Sequence, residues 1–457
     1  MLLSLIVATD SRDGISLNRR IPWHIPLDLT FFHDTTRPHA LIMGRHTWQS
    51  LPTPLSDRTT IIVSSTLILD AQIPNVHLVQ TIAQAIAKSQ ELNVKKVFFC
   101  GGRDIYEEAY STIALDEIYI TKINQDYGCD NFVKFPDIHK KYQIAFQHTF
   151  GELTFTKYSN RPKTNSEEQN YLNLVSRILN EPPRQTRNAQ TMSLFGAHLE
   201  FDLSRSFPLL TTKKVFLKGI FEELIFFLKG DTNSKLLTEK GVKIWEGNTS
   251  REFLDKTGLD YQEGDMGPLY GFQLRHFNAP YEGCGANYEG QGIDQIAYCL
   301  NLLKTDPFSR RIIMTTFNPA QATQGCLWPC HSLVLQFYVS GSYQLSLSCY
   351  NRSQDMFLGV PFNICSASML VYMFCHVINN TYDGPKLTPG RLIMNLGDVH
   401  VYQDHKNQAI RQVLREPYVF PQLKFKRAVG NLTDFTFEDL EIVDYQCHPG
   451  IVAKMVA

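Results

Sequence analysis

Short apolar, β-branched runs separated by helix-like segments set the rhythm of the first third of the chain. LSLIVA, HALIMG, RTTIIVSS, VKKVFFCGG and DEIYITKI each predict a strand, and the alternation predicts an α/β sheet domain over residues 1–158. The opening MLLSLIVA has no basic stretch before it and runs straight into the charged DSRDG. It is expected to be a buried first strand, not a leader. SNRPKTNSEEQN, Ser159 to Asn170, is almost devoid of apolar residues and predicts a solvated linker, drawn over 159–167. From 168 to 457, long helical stretches mix with strands such as YQLSLSCYNRS and RLIMNLGDVHVY, predicting an α+β domain without internal repeats.

One helix carries chemical information in its spacing. In FLKGIFEELIFFLKG, a rotation of about 100° per residue places Leu217, Ile220, Phe221, Leu224 and Leu228 on a core stripe, with Lys218, Glu222 and Lys229 on a polar face. Glu222 is then an ordinary surface charge. Glu223 falls beside Phe216 and Phe227, where desolvation raises a carboxyl pKa toward neutrality and suits it to moving protons. The plain alternative is a salt-bridged structural glutamate.

Composition narrows the classes. A chain of 457 residues accommodates two or three folding units, and a net charge of -1 offers no electrostatic case for nucleic acid or an anionic membrane surface. Ten thinly spread cysteines point to reduced thiols in a cytoplasmic protein. Apolar segments such as ASMLVYMFCHVI are expected to fall short of the roughly 20 residues that cross a bilayer. A small-molecule enzyme fits these limits.

CLWPCHSLV, Cys326 to Val334, is the first chemical cluster. A structural zinc site needs a second ligand pair at short spacing, and none is near, so no metal is expected. In an extended segment adjacent side chains point to opposite sides, which places His331 poorly to deprotonate Cys330 in a hydrolase dyad. An inert buried thiol and a nucleophile both remain open on local sequence.

RIPWHIPLDLTFF, Arg20 to Phe32, is the second. Pro26 suits a helix first turn, and Asp28 follows it as a first-turn acid. Trp23, Leu29, Phe31 and Phe32 surround that acid with apolar bulk, a setting in which a carboxylate binds a flat amidine-like edge through two hydrogen bonds. Helix decoration is the bland reading. Three strand ends, Gly44-Arg45-His46-Thr47, Ser64-Ser65 and Gly101-Gly102, carry phosphate-friendly residues. There is no GxGxxG followed by an acidic ribose binder, and Arg45 with His46 argues for a 2'-phosphate, hence NADPH.

WPCH together with YNRSQDMFLGVPFNI, Tyr350 to Ile364, closely resembles the thymidylate synthase signature. SFPLLTTKKVFLKGIFEELIFFLKGDTN, VKIWEGN, EGDMGPLYGFQLRHF, DPFSRRIIM, LGDVHVYQDH and the terminal KMVA extend the resemblance across the second domain in family order. It implies that Cys330 attacks C6 of dUMP, that Glu223 is the acid/base group working through water, and that Tyr270 and Arg352 assist. It also implies that Arg187, Arg352 and, across a dimer interface, Arg310 and Arg311 hold the phosphate. On the same grounds Asn363 reads the uracil amide edge, His400 and Tyr402 bind the deoxyribose hydroxyl, and His331, Ser353 and Asp355 line the dUMP site. Trp245, Asn248, Asp355, Leu358, Gly359 and Phe362 receive 5,10-methylenetetrahydrofolate. Three departures stand out: Asn351 where glutamine is usual, Leu274 for tryptophan, and a loop TRNAQTMS one residue shorter than the family's phosphate loop.

LSLIVATDSRDGISLNRRIPWHIPLDL, LIMGRHTWQSLP, DRTTIIVSS and FFCGGRDIYEEA resemble dihydrofolate reductase over nearly the whole first domain. The resemblance implies that Asp28 binds the pterin and supports its protonation, with Leu29, Phe32 and Leu51 flanking it, Thr121 buttressing Asp28, and Arg58 taking the glutamate α-carboxylate. NADPH would lie along Ala8, Ile15, Gly44, Arg45, His46, Thr47, Ser64, Ser65, Gly101, Gly102 and Arg103. Asp57 stands where glycine is common and is expected to compete for Arg58. Together the two resemblances imply consecutive reactions on one chain: methylation of dUMP to dTMP, and reduction of the dihydrofolate produced. They also imply a homodimer through the second domain. The reading from another class is a regulatory binding protein in which one domain has lost catalysis.

Overall fold

The structure, a computed structural model, describes residues 1–69, 72–161, 165–187 and 189–456. The chain divides into two compact units, Met1–Lys163 and Thr164–Ala457.

In the first unit, β1 (Leu2–Thr9), β2 (Ala40–Gly44), β3 (Thr60–Val63), β4 (Val76–Val79), β5 (Lys96–Phe99), β6 (Glu117–Ile123), β7 (Gln143–Phe150) and β8 (Leu153–Ser159) form one sheet, ordered β4-β3-β2-β5-β1-β6-β8-β7. Pairings among β1 to β6 are parallel, while β8 pairs antiparallel with both neighbours. Central parallel strands are covered on both faces, which is why they read as unbroken apolar runs. Leu5, Leu41, Ile42, Ile61 and Val97 are fully buried. All five runs singled out in the sequence are strands of this sheet.

Helix α1 (Pro26–Thr36) begins on Pro26, whose fixed φ and missing N–H cost nothing at a first helical position, and has Asp28 in its first turn. Its Phe31 packs against Phe155 and Tyr119 at ring distances of 4.9 and 6.3 Å. Leu29 is exposed and so does not enclose Asp28 as the sequence predicts: successive residues lie about 100° apart round a helix, and Leu29 has turned off the buried side that Asp28 and Phe31 share. Helices α2 (Arg45–Ser50), α3 (Ile82–Glu91) and α4 (Arg103–Thr112) follow β2, β4 and β5.

The linker expected over 159–167 falls partly outside the described residues, at 162–164. On either side of those positions the chain is regular. Ser159 closes β8, and Asn165 caps α5 (Ser166–Leu179) by accepting from Glu168 N at 3.0 Å.

In the second unit, β9 (Gln190–Asp202), β10 (Ile313–Thr315), β11 (Val334–Val339), β12 (Gln344–Asp355) and β13 (Thr388–Tyr402) form a mixed sheet, with the short strand Arg184–Gln185 at one edge and the order β9-β13-β12-β11-β10 beyond it. Strand β11 alternates exposed and buried residues, so one face of the sheet is a core and the other is open. The buried face packs on α8 (Gly359–Thr381), where Phe374 stacks on Phe337 at 4.9 Å.

Two sequence expectations need correction. The segment ASMLVYMFCHVI belongs to α8, a 23-residue helix apolar and long enough to cross a bilayer, not to an interrupted stretch. It is a core helix: 72% of its most apolar window is buried inside the unit. Helix α6 (Leu217–Lys229), ended by Gly230 at φ 84°, is also enclosed more fully than a single stripe predicts, with Ile225, Phe226 and Phe227 buried besides the expected positions. Glu222 is consequently buried rather than a surface charge, and Lys240 Nζ pairs with it at 2.6 Å.

Candidate active sites in the two units

In the second unit, Tyr270 sits at φ 30°, immediately before α7 (Gly271–His276). That backbone turn aims its hydroxyl at the Cys330 segment: it accepts from Cys330 N at 3.1 Å and lies 3.3 Å from Cys330 Sγ. His331 stacks flat on the Tyr270 ring at 4.5 Å, and its Nδ1 is 3.2 Å from Ser332 Oγ. Burial holds this imidazole neutral, with its pKa lowered to about 4. Cys326 is buried, and its backbone N–H bonds Met266 O. Among the described residues no group of three His, Cys, Asp or Glu side chains is placed to hold a metal ion.

A nucleophilic cysteine needs a thiolate, which cationic neighbours favour. The balance runs the other way: burial pushes the thiol up, and the Tyr270 hydrogen bond and the Arg352 charge oppose it without prevailing. The Arg352 side chain is committed to backbone carbonyls, its Nε donating to Pro329 O at 3.1 Å. Desolvation of a buried thiolate outweighs one cation held at a remove.

Glu223, on α6, accepts from Trp245 Nε1 at 2.7 Å. Desolvation raises its carboxyl to about 7, against the pull of that bond. Its aromatic surroundings differ from those expected: Phe216 is exposed, and the wall is made by Phe227, Trp245 and Tyr270, whose centroids lie 5.1 to 6.3 Å apart. Asn248 is buried one turn beyond Trp245 and donates its N–H to Trp245 O.

Strand β12 and the start of α8 bring the remaining groups together. Arg352 N and Ser353 N both donate to Cys330 O, tying the strand to the cysteine segment. Asn351, one methylene shorter than the usual residue, is buried and accepts from Ser332 N at 2.6 Å. Asp355 Oδ1 accepts from Phe357 N at 2.8 Å and Leu358 N at 3.2 Å, fixing the carboxylate where α8 begins at Gly359, with Phe362 in its first turn. Asn363 donates to Gln354 Oε1 at 3.0 Å, so the buried Gln354, which the sequence did not single out, sets its orientation.

On β13, His400 Nδ1 lies 2.9 Å from Asp398, which also accepts from Arg184. Arg184 was likewise not anticipated; only the pairing of its short strand with β9 brings it there. Burial raises the Tyr402 phenol to about 12, with Asp355 and Cys330 adding to the effect and Arg187 opposing it, so Arg187 lies within electrostatic reach of the site. Of TRNAQTMS, expected as a loop, Gln190 to Ser193 are the start of β9, and residue 188 lies outside the described residues. Leu274 is simply buried on α7, and Arg310 and Arg311 are exposed just before β10.

In the first unit, Asp28 is buried with the Thr121 side chain hydrogen-bonded to its carboxyl. Desolvation raises it to about 6, and the Thr121 bond offsets only part of that. Phe32 is half-buried on α1, and Leu51 follows the end of α2. Tyr106 on α4, missed by sequence reasoning, donates to Ile6 O at 3.0 Å, and Asp28's charge contributes to raising its phenol.

Arg58 is sealed, with its side chain 1% exposed, and each of its three nitrogens donates within the chain. Nε and Nη2 bond the two Asp57 oxygens at 2.8 and 3.2 Å, and Nη1 bonds Thr36 Oγ1. Asp57 is shared with Arg37 Nε at 3.0 Å and His33 Nε2 at 3.4 Å.

The residues that the reductase resemblance assigns to the nucleotide have the following settings. Gly101 has φ 118°, where glycine is favoured, and a Cβ there would sit 3.2 Å from Thr47 Oγ1 and 3.3 Å from the Tyr106 hydroxyl. Gly102 caps α4, so its start carries no side chain. Arg45 donates to Thr66 Oγ1 at 2.7 Å, and its Nη2 lies 3.4 Å from Nε2 of the exposed His46, a cation beside an imidazole that together suit a phosphate. Ser64 Oγ accepts from Leu67 N at 3.0 Å, and Ser65 is exposed beside it. Ala8 lies opposite Thr121 in the sheet, and Ile15 is buried next to Gly14. Arg103 pairs with Glu107, one turn on along α4, at 2.8 Å.

Comparison with known proteins gives the same division. The dihydrofolate reductase family model matches residues 2–161, and the thymidylate synthase model matches residues 169–457. The chain is 38% identical to a bifunctional dihydrofolate reductase-thymidylate synthase of Paramecium tetraurelia over 99% of its own length and 98% of that protein's. It is 36% identical to that of Leishmania major, over 99% and 94%. The chain belongs to the bifunctional dihydrofolate reductase-thymidylate synthase family. Its first unit is therefore the reductase and its second the synthase, an oxidoreductase and a methyltransferase in one polypeptide. Bifunctional relatives from Arabidopsis thaliana, at 37% and 38% identity, extend along the same 99% of the chain.

Proposed function

We propose that the synthase unit methylates dUMP to dTMP with 5,10-methylenetetrahydrofolate, and that the reductase unit returns the dihydrofolate so formed to tetrahydrofolate. The observation that carries this reading is that each unit holds a buried carboxyl raised by desolvation, Asp28 or Glu223, where its reaction needs a proton carrier.

In the synthase unit, Cys330 Sγ bonds to C6 of dUMP, making C5 nucleophilic toward the methylene carbon. Because burial disfavours the thiolate, Tyr270 and Arg352 supply the stabilisation at hand. Glu223, near pKa 7, both takes and gives protons through water. Asn363 reads the uracil amide edge, a task for a group with donor and acceptor together. His400 and Tyr402 hold the deoxyribose, and Arg187 and Arg352 the phosphate, with His331, Ser353 and Asp355 completing the cavity. Asp355, Leu358, Gly359, Phe362, Trp245 and Asn248 receive the folate.

In the reductase unit, Asp28 holds the pterin edge and supports protonation of its ring, with Thr121 fixing the carboxyl and Leu29, Phe32 and Leu51 beside the substrate. NADPH supplies the hydride. Arg45 and His46 recognise its 2'-phosphate, and Ala8, Ile15, Gly44, Thr47, Ser64, Ser65 and the Gly101-Gly102 cradle shape the rest of the groove.

The active form is a homodimer through the synthase sheet. Ile313, Val334, Tyr338 and Tyr350 are exposed, and the strand register places them together on the face opposite α8. Large exposed apolar side chains gathered on one sheet face, here interspersed with Gln336, Ser346 and Ser348, mark an interface, and it lies on the sheet whose edge carries Arg310 and Arg311. A second copy would bring those arginines to the dUMP phosphate. The cytoplasm suits ten free cysteines, and neither nucleic acid nor membrane is required. Nothing in either site favours the regulatory reading.

Incubation with dUMP, methylenetetrahydrofolate and NADPH should yield dTMP with tetrahydrofolate, and omission of NADPH should leave dihydrofolate. Cys330→Ala should abolish dTMP formation and spare reduction. Persistent dTMP output from that variant defeats the assignment.

A further inference from the structure

We infer that Asp57 is a specificity-determining residue of the reductase site: a resident carboxylate that occupies Arg58 and makes binding of the substrate's glutamate tail an exchange of one carboxylate for another. This rests on Arg58 being the tail-binding cation.

The geometry is a closed ion pair. Asp57 meets Arg58 with both oxygens, and Thr36 takes the third donor group. Asp57 fills the Nε–Nη2 edge of the guanidinium and Thr36 bonds Nη1, so a ligand carboxylate that takes that edge through two hydrogen bonds must displace Asp57, and one that takes the other edge meets a cation already neutralised. The two partners differ in freedom: the Arg58 side chain is 1% exposed, whereas that of Asp57 is 27% exposed. Asp57 is therefore the member that can leave.

It also has somewhere to go. Arg37 Nε and His33 Nε2 approach the same Asp57 oxygen, so a carboxylate rotated off Arg58 keeps the Arg37 cation and a ring nitrogen as partners. His33, Thr36 and Arg37 lie at the far end of α1 from Asp28. Eight helical residues span about 12 Å, so one helix carries the pterin acid at its start and the tail-binding cluster at its end. Only the far end is self-neutralised. The consequence is selective: Asp57 penalises ligands in proportion to what they demand of Arg58, and leaves pterins that lack a tail indifferent.

The test compares dihydrofolate with 7,8-dihydropterin, which has no aminobenzoylglutamate, by the ratio of their kcat/KM values. Asp57→Asn keeps the shape and removes the charge, and the ratio should rise on the order of tenfold, through KM for dihydrofolate. Asp57→Ser, which leaves a small hydroxyl acceptor beside Arg58, should move it in the same direction and serves if Asp57→Asn fails to fold. Arg58→Gln is the control and should lower the ratio. If Arg58→Gln lowers the ratio while both Asp57 variants leave it unchanged, the exchange is overturned and the tail site stands. If no variant moves the ratio, Arg58 is not the tail-binding cation and both statements fall.

Discussion

Glu117 and Asp28 are two buried carboxyls on the same face of the reductase sheet, and their company makes them opposites. Glu117, Tyr119 and Thr121 alternate along β6 and so share a side. At one end, Lys96 and Lys157 pair with Glu117 at 2.5 and 2.7 Å, and Tyr119 donates to it at 3.0 Å. Desolvation alone would raise that carboxyl, but the two lysine charges overcome it and hold it down at about 2. At the other end, Asp28 has Thr121 and no ion pair among the described residues, and it rises to about 6. Burial is common to both, so burial does not distinguish a structural acid from a proton carrier. The synthase unit shows what hydrogen bonds without a counter-charge do: burial raises Glu168 although it accepts from the backbone and hydroxyls of Thr211 and Thr212, and burial raises Glu223, which accepts from Trp245, to about 7.

The sharpest break of this comparison is catalytic. Asp28→Asn should lower kcat/KM for dihydrofolate at pH 7 by roughly 10²- to 10⁴-fold, while dTMP formation continues. Glu223→Gln should do the converse. An Asp28→Asn enzyme reducing dihydrofolate at the wild-type rate would remove Asp28 from the proton-carrying class.

Glu117→Gln should leave dihydrofolate turnover per folded molecule intact and destabilise the reductase unit by about 3–5 kcal/mol, because two buried ammonium groups lose their shared counter-charge. Denaturant unfolding followed in parallel with activity separates the two effects. A loss below about 1 kcal/mol would place Glu117 with ordinary surface pairs.

The pH dependence of stability should take opposite signs. Asp28 has a raised pKa, so its contribution is complete below about pH 4 and lost as pH rises through 6, amounting to about 3 kcal/mol. Unfolding titrations should therefore show Asp28→Asn gaining on the wild type between pH 4 and pH 8. Glu117 has a depressed pKa, so its contribution is present above about pH 4.5 and lost as pH falls toward 2. The cost of Glu117→Gln should shrink in acid.

The smallest effect is at the thiol. Glu223's charge helps to raise Cys330, so Glu223→Gln should speed alkylation of Cys330 above pH 7 by about two- to threefold. An iodoacetamide rate profile resolved by peptide mass spectrometry reads this, and dUMP should suppress labelling in both proteins.

Much of this was legible because local rules decided it. Pro26 and Asp28 open α1 as the sequence predicts, since a fixed φ and a first-turn acid are local preferences. The five apolar runs became strands of the reductase sheet for the same kind of reason. The desolvation of Glu223 is legible from its neighbours on the helix, but of the two phenylalanines only Phe227 contributes: Phe216 is half-exposed over Gly219, and Trp245 and Tyr270, far away in sequence, build the rest of the wall. Glu222 was misjudged because helical periodicity describes one packing face, whereas α6 is enclosed on several.

By itself, then, the sequence determined the order of elements, the two-unit division, the family of each unit and the residue types available for chemistry, all of which follow from patterns read within short stretches. Tertiary structure decided which charges keep company. Lys96 and Lys157 reach Glu117 from separate strands, Arg184 reaches Asp398 across the synthase sheet, and Arg37 and His33 converge on Asp57 only because α1 ends beside Arg58. The physical reason is range. Backbone preference and hydrophobic period act over a few residues, whereas desolvation and Coulomb interactions depend on distances in space that only the folded chain sets.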